Sequence, residues 1–152
     1  MKDRKNMVLP FRQTKIHYTL FIFVSDHSHN SPRNYSFISP EYRRIPTVFY
    51  GNVLTQRYAI PFTFSQTDLA ATLLGQLEID HAEFKYSRDQ FSPSSKHFAY
   101  YSFEEGFGFV RDDASLVWSV NGPSTFTRME AGYHVYTRAE DSLALLKNGQ
   151  AI

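Results

Sequence analysis

The sequence predicts an α/β fold in which a sheet with covering helices is followed by a small antiparallel β-meander. Three observations predict it: an apolar run near the amino end, a leucine-striped helix before residue 80, and short aromatic segments beyond residue 95. The order strand, loop, strand, loop and helix is typical of α/β folds. Closely spaced short strands separated by turns are typical of meanders.

The first strand is predicted from the run Tyr18–Val24, which only Thr19 interrupts. Because its apolar side chains point to both faces, the run is typical of a strand buried on both sides in a parallel sheet. A long polar loop over 27–44 follows, and a second short strand is predicted over Ile45–Tyr50. We therefore expect the first strand to be central in its sheet, with the loop at its carboxyl end.

A helix is predicted over 65–77. Ser65 and Asp68 have the spacing of a capping box, in which each side chain accepts a hydrogen bond from the other residue's backbone amide. Leucines at every fourth position form one apolar stripe: Leu69, Leu73 and Leu77. Because such a stripe lies on a single helix face, we expect it to pack against the sheet.

Short aromatic segments separated by turns that contain Gly or Asp make up the second half. They read KHFAYYSF, GFGFVRDD, SLVWSVNG and STFTRM. Side chains two positions apart share a face of a strand, as Phe107 and Phe109 do. The pattern predicts an antiparallel meander of three or four strands that belongs to the same domain.

The chain is thereby divided into four parts. They are an unpatterned N-terminal segment (1–17), the α/β part (18–95), the meander (96–130) and a C-terminal tail (131–152). In the tail, leucine spacing favours a helix over Arg138–Lys147 that ends by Gly149.

The composition excludes several classes of function. The 16 Lys and Arg residues balance 15 Asp and Glu residues, so the net charge of +1 predicts no nucleic-acid partner. The chain has no cysteine, which excludes disulfides, thiolate zinc sites and cysteine nucleophiles. No apolar stretch reaches signal-peptide length or the roughly 20 residues of a membrane-spanning helix.

The end of the first strand is the predicted functional site. It reads VSDHSHN and contains Asp26, His27 and His29. Ligand sites in open α/β sheets form beyond the carboxyl ends of the strands. A carboxylate oxygen and an imidazole nitrogen suit Zn²⁺ or Mn²⁺ better than Ca²⁺, so Asp26 and His27 are candidate ligands. The alternative is an acidic residue and a histidine at a strand end with no ion, since zinc usually has three or four protein ligands.

The other histidines and acidic residues lack the spacing of a metal or catalytic site. Three histidines have no metal-ligand spacing and are expected at the surface or the core edge: His81, His97 and His134. Glu104 and Glu105 adjoin Gly106 in a predicted solvated turn. The sequence contains no G-x-S-x-G, no glycine-rich phosphate loop and no H-E-x-x-H.

Three elements in order resemble the sulfatase branch of the alkaline phosphatase superfamily. Within that branch the resemblance is to bacterial phosphoglycerol transferases of the lipoteichoic acid synthase type. The elements are the apolar strand that ends in Asp26 and His27, the R-I-P that begins at Arg44, and the S-Q-T-D-L that begins at Ser65. The aromatic segments are similar to the end of such domains, so the resemblance covers residues 18–129.

The resemblance implies a metal-dependent transferase or hydrolase of phosphate or sulfate esters at the outer face of the bacterial cytoplasmic membrane. It implies that Asp26 and His27 bind the divalent metal (Mn, Zn or Mg) and that His29 either binds the substrate phosphate or supports the metal ligands. In that family the nucleophile and a further acidic ligand lie well upstream of the Asp-His strand, and no residue before Asp26 matches their context. We therefore expect a C-terminal part of a catalytic domain, without a catalytic nucleophile, that holds its metal weakly.

Two functions follow from these observations. The first is a fragment of a phosphoryl- or sulfuryl-transfer enzyme, which is inactive unless the N-terminal half of the domain is supplied as a partner. The second is a non-catalytic remnant or interaction module whose aromatic sheet binds a partner.

Overall fold

The computed structural model describes residues 19–29, 31, 34–57, 59–130, 133–136 and 143–152. The strands are β1 (Phe21–Val24), β2 (Thr47–Tyr50), β3 (Ala99–Phe103), β4 (Gly106–Val110), β5 (Ala114–Ser119), β6 (Thr125–Glu130) and β7 (Tyr133–Tyr136). The helices are α1 (Pro40–Arg43), α2 (Leu69–Gln76), which a 3₁₀ turn (Gln66–Asp68) precedes, and α3 (Leu143–Gln150). The mixed α/β class is therefore confirmed. The chain forms two compact units. The first contains β1 and β2 and consists of the stretch up to Ser28 together with Ile45–Ala59. The second consists of His29–Arg44 and Ile60–Ile152.

The first unit contains a two-stranded antiparallel sheet. Phe21 of β1 lies opposite Tyr50 of β2, and Phe23 lies opposite Val48. The expectation of a central parallel strand is wrong in the described part of the chain, because β1 pairs antiparallel with β2 and Phe23 is 57% exposed. The physical reason is that apolar side chains on both faces favour a strand but do not fix its direction, which depends on how the chain returns to pair with it.

The second unit contains α2, and the predicted capping box is confirmed there. The Ser65 amide donates to Asp68 Oδ2 at 2.9 Å. The leucine stripe is less buried than expected: Leu69 and Leu73 are half-buried and Leu77 is 58% exposed. The fully buried residues are instead Asp68, Ala71 and Thr72. The most buried face is therefore the small and polar one.

The segment Ser87–Gln90, which we call the strap, packs on that small and polar face. The Ala71 amide donates to Ser87 Oγ at 2.8 Å. Thr72 Oγ1 donates to the Arg88 carbonyl at 3.2 Å and accepts from the Gln90 amide at 3.1 Å. A Cβ on Gly75 would overlap the Asp89 carboxylate, so glycine permits the close approach. This contact depends on hydrogen bonds and on small side chains. Neither of these produces a hydrophobic pattern in the sequence.

The Asp68 carboxylate lies at the centre of the strap contact and is fully buried. It accepts hydrogen bonds from the Arg88 amide and Nε, each at 3.0 Å, and from Nη2 at 2.6 Å. Arg88 also donates to the carbonyls of Lys96 and Phe98, at 3.0 and 2.9 Å. Its guanidinium carbon lies 3.4 Å from the Phe98 ring centroid. The buried charge is thus neutralised by a bidentate partner that is itself held in place.

Strands β3 to β7 form one antiparallel sheet in chain order, which confirms the predicted meander. The sheet extends beyond the predicted segment, because β7 pairs with β6 and lies in the part predicted as a tail. One face of the meander carries the hydrophobic core, in which Leu116 is 1% exposed. Its buried members are Phe107, Phe109, Ala114, Leu116, Phe126 and, from α3, Leu145.

Helix α3 packs on the core face and runs through Gly149 to Gln150. The expectation that the helix ends by Gly149 is therefore wrong. A Cβ at this position would overlap the Phe107 ring, so the glycine permits a close approach of α3 to the sheet. The predicted start at Arg138 lies outside the described residues. Among the helices that the structure describes, none combines the length and apolar character needed to cross a bilayer.

Tyr101 joins the loop 34–44 to the other face of the meander. Gly108 is its cross-strand partner, and a Cβ there would overlap the Tyr101 ring, so the ring lies flat across β4. The Tyr101 hydroxyl donates to the Ile38 carbonyl at 2.6 Å. Burial raises the pKa of the Tyr101 phenol, while the Arg43 guanidinium acts in the opposite direction. The hydroxyl is therefore held in its protonated, hydrogen-bond-donating form.

We expect the free energy of unfolding to fall at alkaline pH because of Tyr101. A tyrosine in the unfolded chain ionises near pH 10. Because the folded pKa is raised, the stability that protonated Tyr101 contributes is fully present below about pH 10 and is lost as the pH rises above that value. Urea unfolding followed by circular dichroism between about pH 8 and pH 11.5 measures the decline, which we expect to be shallower in Tyr101→Phe. An equal decline in both proteins would contradict the prediction.

Candidate functional site

Asp26 and His27 lie in a bend just beyond the carboxyl end of β1. Their side chains are exposed, and His27 Nε2 lies 3.7 Å from Asp26 Oδ2. The His27 amide donates to Asp26 Oδ1 at 2.9 Å, which orients the carboxylate. Adjacent residues in a regular strand point to opposite faces, so this convergence depends on the strand ending at Val24. The sequence prediction that the two side chains can meet therefore agrees with the geometry.

A backbone carbonyl determines the tautomer of His27. Nδ1 lies 2.8 Å from the Ser28 carbonyl oxygen, and because a carbonyl can only accept, Nδ1 must carry the hydrogen. The neutral ring then has its lone pair on Nε2, the nitrogen nearer the Asp26 carboxylate. Histidines that bind metals commonly donate their other N–H to a carbonyl or carboxylate in this way. The donors are thus a carboxylate oxygen and an unprotonated imidazole nitrogen, which suit a divalent cation.

The separation of the two donors also fits a shared ion. Two ligands that each lie about 2.1 Å from one ion are at most about 4.2 Å apart. The 3.7 Å between Asp26 Oδ2 and His27 Nε2 meets this condition without a change of backbone. Within the ranges that the structure describes, no three His, Asp or Glu side chains form a group that could hold a metal. Asp26 and His27 therefore fit as two ligands of a site.

His29 belongs to the second compact unit and has the opposite tautomer. The Ser31 amide donates to His29 Nδ1 at 3.1 Å, so the neutral ring carries its hydrogen on Nε2. An exposed imidazole N–H is a hydrogen-bond donor of the kind that phosphate and sulfate oxygens accept. The chemistry of His29 therefore suits an oxyanion rather than a cation.

The remaining candidates have structural surroundings. His97 lies at the core edge, as expected, with its ring stacked 3.9 Å from the Phe62 centroid and Nδ1 2.9 Å from Gln90 Oε1. Glu104 and Glu105 form the turn between β3 and β4, which confirms their assignment to a turn. His81 is half-buried. The side chain of His134 is not among those that the structure describes.

A protein of the alkaline phosphatase superfamily from Vibrio parahaemolyticus, solved by crystallography, is a structural neighbour of this chain. The TM-score is 0.70 at 17% sequence identity. The match covers 91% of this chain and 34% of the neighbour. This is an alkaline phosphatase-like fold. The chain spans about a third of the neighbour's length, and neither a scan against protein-family models nor a search of curated proteins finds a match.

Proposed function

We propose that this alkaline phosphatase-like chain is the C-terminal part of a metal-dependent catalytic domain that transfers or hydrolyses phosphate or sulfate esters. The specific type we propose is a phosphoglycerol transferase that acts at the outer face of the bacterial cytoplasmic membrane. The observation that carries the proposal is the convergence of Asp26 Oδ2 and His27 Nε2 at 3.7 Å. The likeness in fold to a protein of the alkaline phosphatase superfamily supports it, because the resemblance in the sequence implies ester chemistry of this kind.

Each residue has a defined part in this proposal. Asp26 and His27 hold the divalent cation, Mn²⁺, Zn²⁺ or Mg²⁺, through one oxygen and one nitrogen. When bound, the cation acts as a Lewis acid on the ester and activates a nucleophile. His29 donates its Nε2–H to a phosphate or sulfate oxygen. The nucleophile and further ligands come from the remainder of the domain, in the same protein or in a partner chain.

We expect this chain to bind Mn²⁺ weakly and Asp26→Ala to abolish the binding, because two ligands alone hold a cation loosely. Isothermal titration calorimetry with MnCl₂ measures the affinity. The chain offers a matched control in a second Asp-His dipeptide, Asp80 with His81, in which the Asp80 carboxylate accepts the Ala82 amide at 3.1 Å. Asp80→Ala should leave Mn²⁺ binding unchanged. Equal losses in the two variants, or no binding in the wild type, would contradict the assignment and favour a non-catalytic interaction module.

We expect no measurable turnover of chromogenic phosphate or sulfate esters by this chain alone, with Mn²⁺, Zn²⁺ or Mg²⁺ supplied. A positioned nucleophile contributes effects worth roughly 7–11 kcal/mol, and the proposal places that nucleophile outside these residues. An ester-hydrolysis assay beside Asp26→Ala tests this expectation. Turnover that disappears in Asp26→Ala would mean that the chain carries its own nucleophile, and the fragment proposal would then be wrong.

A further inference from the structure

Asp26 and His27 lie at the surface of the first compact unit. The Asp26 side chain is 88% exposed and the His27 side chain is 72% exposed. Closed zinc sites have four ligands in a tetrahedron, whereas the described residues contribute two here. We call Asp26 and His27 together the half-site. Because both side chains face solvent, a second molecule can bring further ligands to the same ion.

The charge of the half-site makes it suitable for sharing a zinc ion. The His27 ring is neutral with its hydrogen on Nδ1, facing the Ser28 carbonyl, so a half-site carries the one negative charge of Asp26. Two half-sites carry two negative charges, which one Zn²⁺ neutralises. Without the ion, two carboxylates brought to one site repel each other. Association of two half-sites therefore depends on the cation.

The sheet that ends at the half-site carries exposed apolar side chains on one face. Phe23 of β1 lies opposite Val48 of β2, and Tyr50, two positions from Val48, shares their face. These residues, which we call the apolar strip, are 57%, 52% and 64% exposed. Phe23 is three positions before Asp26, so the strip begins within about 10 Å of the half-site. A partner bound at the half-site is therefore within reach of apolar surface that it can bury.

A second copy of this chain fits both features. A two-fold axis places the same surface of both copies in contact, so that two half-sites can share an ion and two apolar strips can pack. The net charge of +1 per chain gives little long-range repulsion between copies. The contact also stabilises the first unit, because a two-stranded sheet is only marginally stable until its apolar surface is covered.

We propose that two copies of this chain share one Zn²⁺, which takes Asp26 Oδ2 and His27 Nε2 from each copy, and that their apolar strips pack at the same interface. The inference rests on the metal-binding role proposed above for Asp26 and His27. It adds a partner and a form of regulation: in this chain the second copy takes the place that the proposed function gives to the remainder of the domain, and zinc controls the association.

The experiment uses the full chain with ZnCl₂ as the probe. Light scattering after size-exclusion chromatography measures the mass, which we expect to rise from 17.7 kDa to twice that value when zinc is added and to return when a chelator removes it. Isothermal titration calorimetry measures the stoichiometry, which we expect to be one ion for two chains. Circular dichroism checks that every variant is folded.

Ligand variants test which residues hold the ion. Asp26→Ala and His27→Ala should each abolish the zinc-dependent dimer. Asp80→Ala changes the second Asp-His dipeptide and should dimerise like the wild type. This control is matched in tautomer, because His81 Nδ1 lies 3.2 Å from the Ile79 carbonyl oxygen and so carries the hydrogen.

A second set of variants tests the apolar strip. Phe23→Ser and Val48→Ser retain the ligands and remove apolar surface, so the dimer dissociation constant in saturating zinc should rise by about tenfold in each. Phe84→Ser, at a phenylalanine of the second unit that is 47% exposed, should leave the dissociation constant unchanged. Equal effects of Phe23→Ser and Phe84→Ser would overturn the assignment of the strip to the interface.

The outcomes separate this inference from the proposed function. One zinc ion bound to each chain, lost in Asp26→Ala, with the mass unchanged at 17.7 kDa, overturns the shared site and leaves the proposed function standing. No zinc binding, or a dimer that persists in Asp26→Ala, overturns the inference, and the first of these results also overturns the metal-binding role. A zinc-dependent dimer with one ion for two chains, lost in both ligand variants and retained in Asp80→Ala, supports the inference.

Discussion

Arg88→Ala is expected to lower the free energy of unfolding by about 3–5 kcal/mol, because it leaves the Asp68 carboxylate buried without its partner. The carboxylate is fully buried and takes three of its hydrogen bonds from Arg88, two of them from the guanidinium. The backbone amide of residue 88 remains in the variant, whereas the compensating charge is lost. Urea unfolding followed by circular dichroism measures the change.

The matched control is Arg111→Ala, which breaks an exposed pair. Arg111 Nε donates to Asp113 Oδ1 at 2.8 Å, and its Nη2 donates to Oδ2 of the same carboxylate. Both side chains are well exposed, so the substitution is expected to lower the free energy of unfolding by at most about 1 kcal/mol. Equal effects of the two substitutions would show that burial of Asp68 is not what makes Arg88 important.

A double variant tests the same point from the other side. Replacing Asp68 with Asn and Arg88 with Met removes both charges together while retaining similar volumes. Replacing a buried ion pair by uncharged groups is often close to neutral, so this variant is expected to be more stable than Arg88→Ala. A double variant less stable than Arg88→Ala would contradict the account of an uncompensated buried charge.

Leu116→Ala is expected to lower the free energy of unfolding by about 2–5 kcal/mol, the usual range for a large-to-small change in a core. Leu116 is 1% exposed and lies on β5 between Phe109 of β4 and Phe126 of β6. The neighbours of Leu116 on both sides belong to paired strands. The cavity that the shorter side chain leaves therefore cannot close easily. Val120→Ala, at a residue that is 65% exposed, should change stability by less than about 0.5 kcal/mol. Similar effects of the two substitutions would contradict the location of the core.

The meander could be predicted because it is built from local contacts. Its strands follow one another through short turns, and the alternation of Phe107 and Phe109 identifies the core face directly. β7 was not predicted, because the segment Tyr133–Tyr136 contains two tyrosines and a histidine and lacks a long apolar run. Pairing with β6, rather than its own pattern, makes it a strand.

The packing of α2 could not be predicted from hydrophobic periodicity. The leucine stripe is the stronger sequence signal, yet the buried face consists of Asp68, Ala71 and Thr72, and the strap provides their partners. Arg88 has no signal of its own, because a single arginine in a polar segment resembles any solvated charge. Only its position beside Asp68, 20 residues earlier, makes it important for stability.

The sequence by itself determined the local features of this protein: the capping box of Ser65 and Asp68, the meander, and the adjacency of Asp26 and His27 at the end of a strand. These depend on residues close together in the chain, whose geometry the backbone restricts directly. Only the tertiary structure decided the direction of β1 against β2, the buried face of α2, the Asp68–Arg88 pair and the contact of the Tyr101 ring with Gly108. Each of these joins residues far apart in sequence, where burial and hydrogen-bond geometry in the folded chain, rather than local propensity, select the partner.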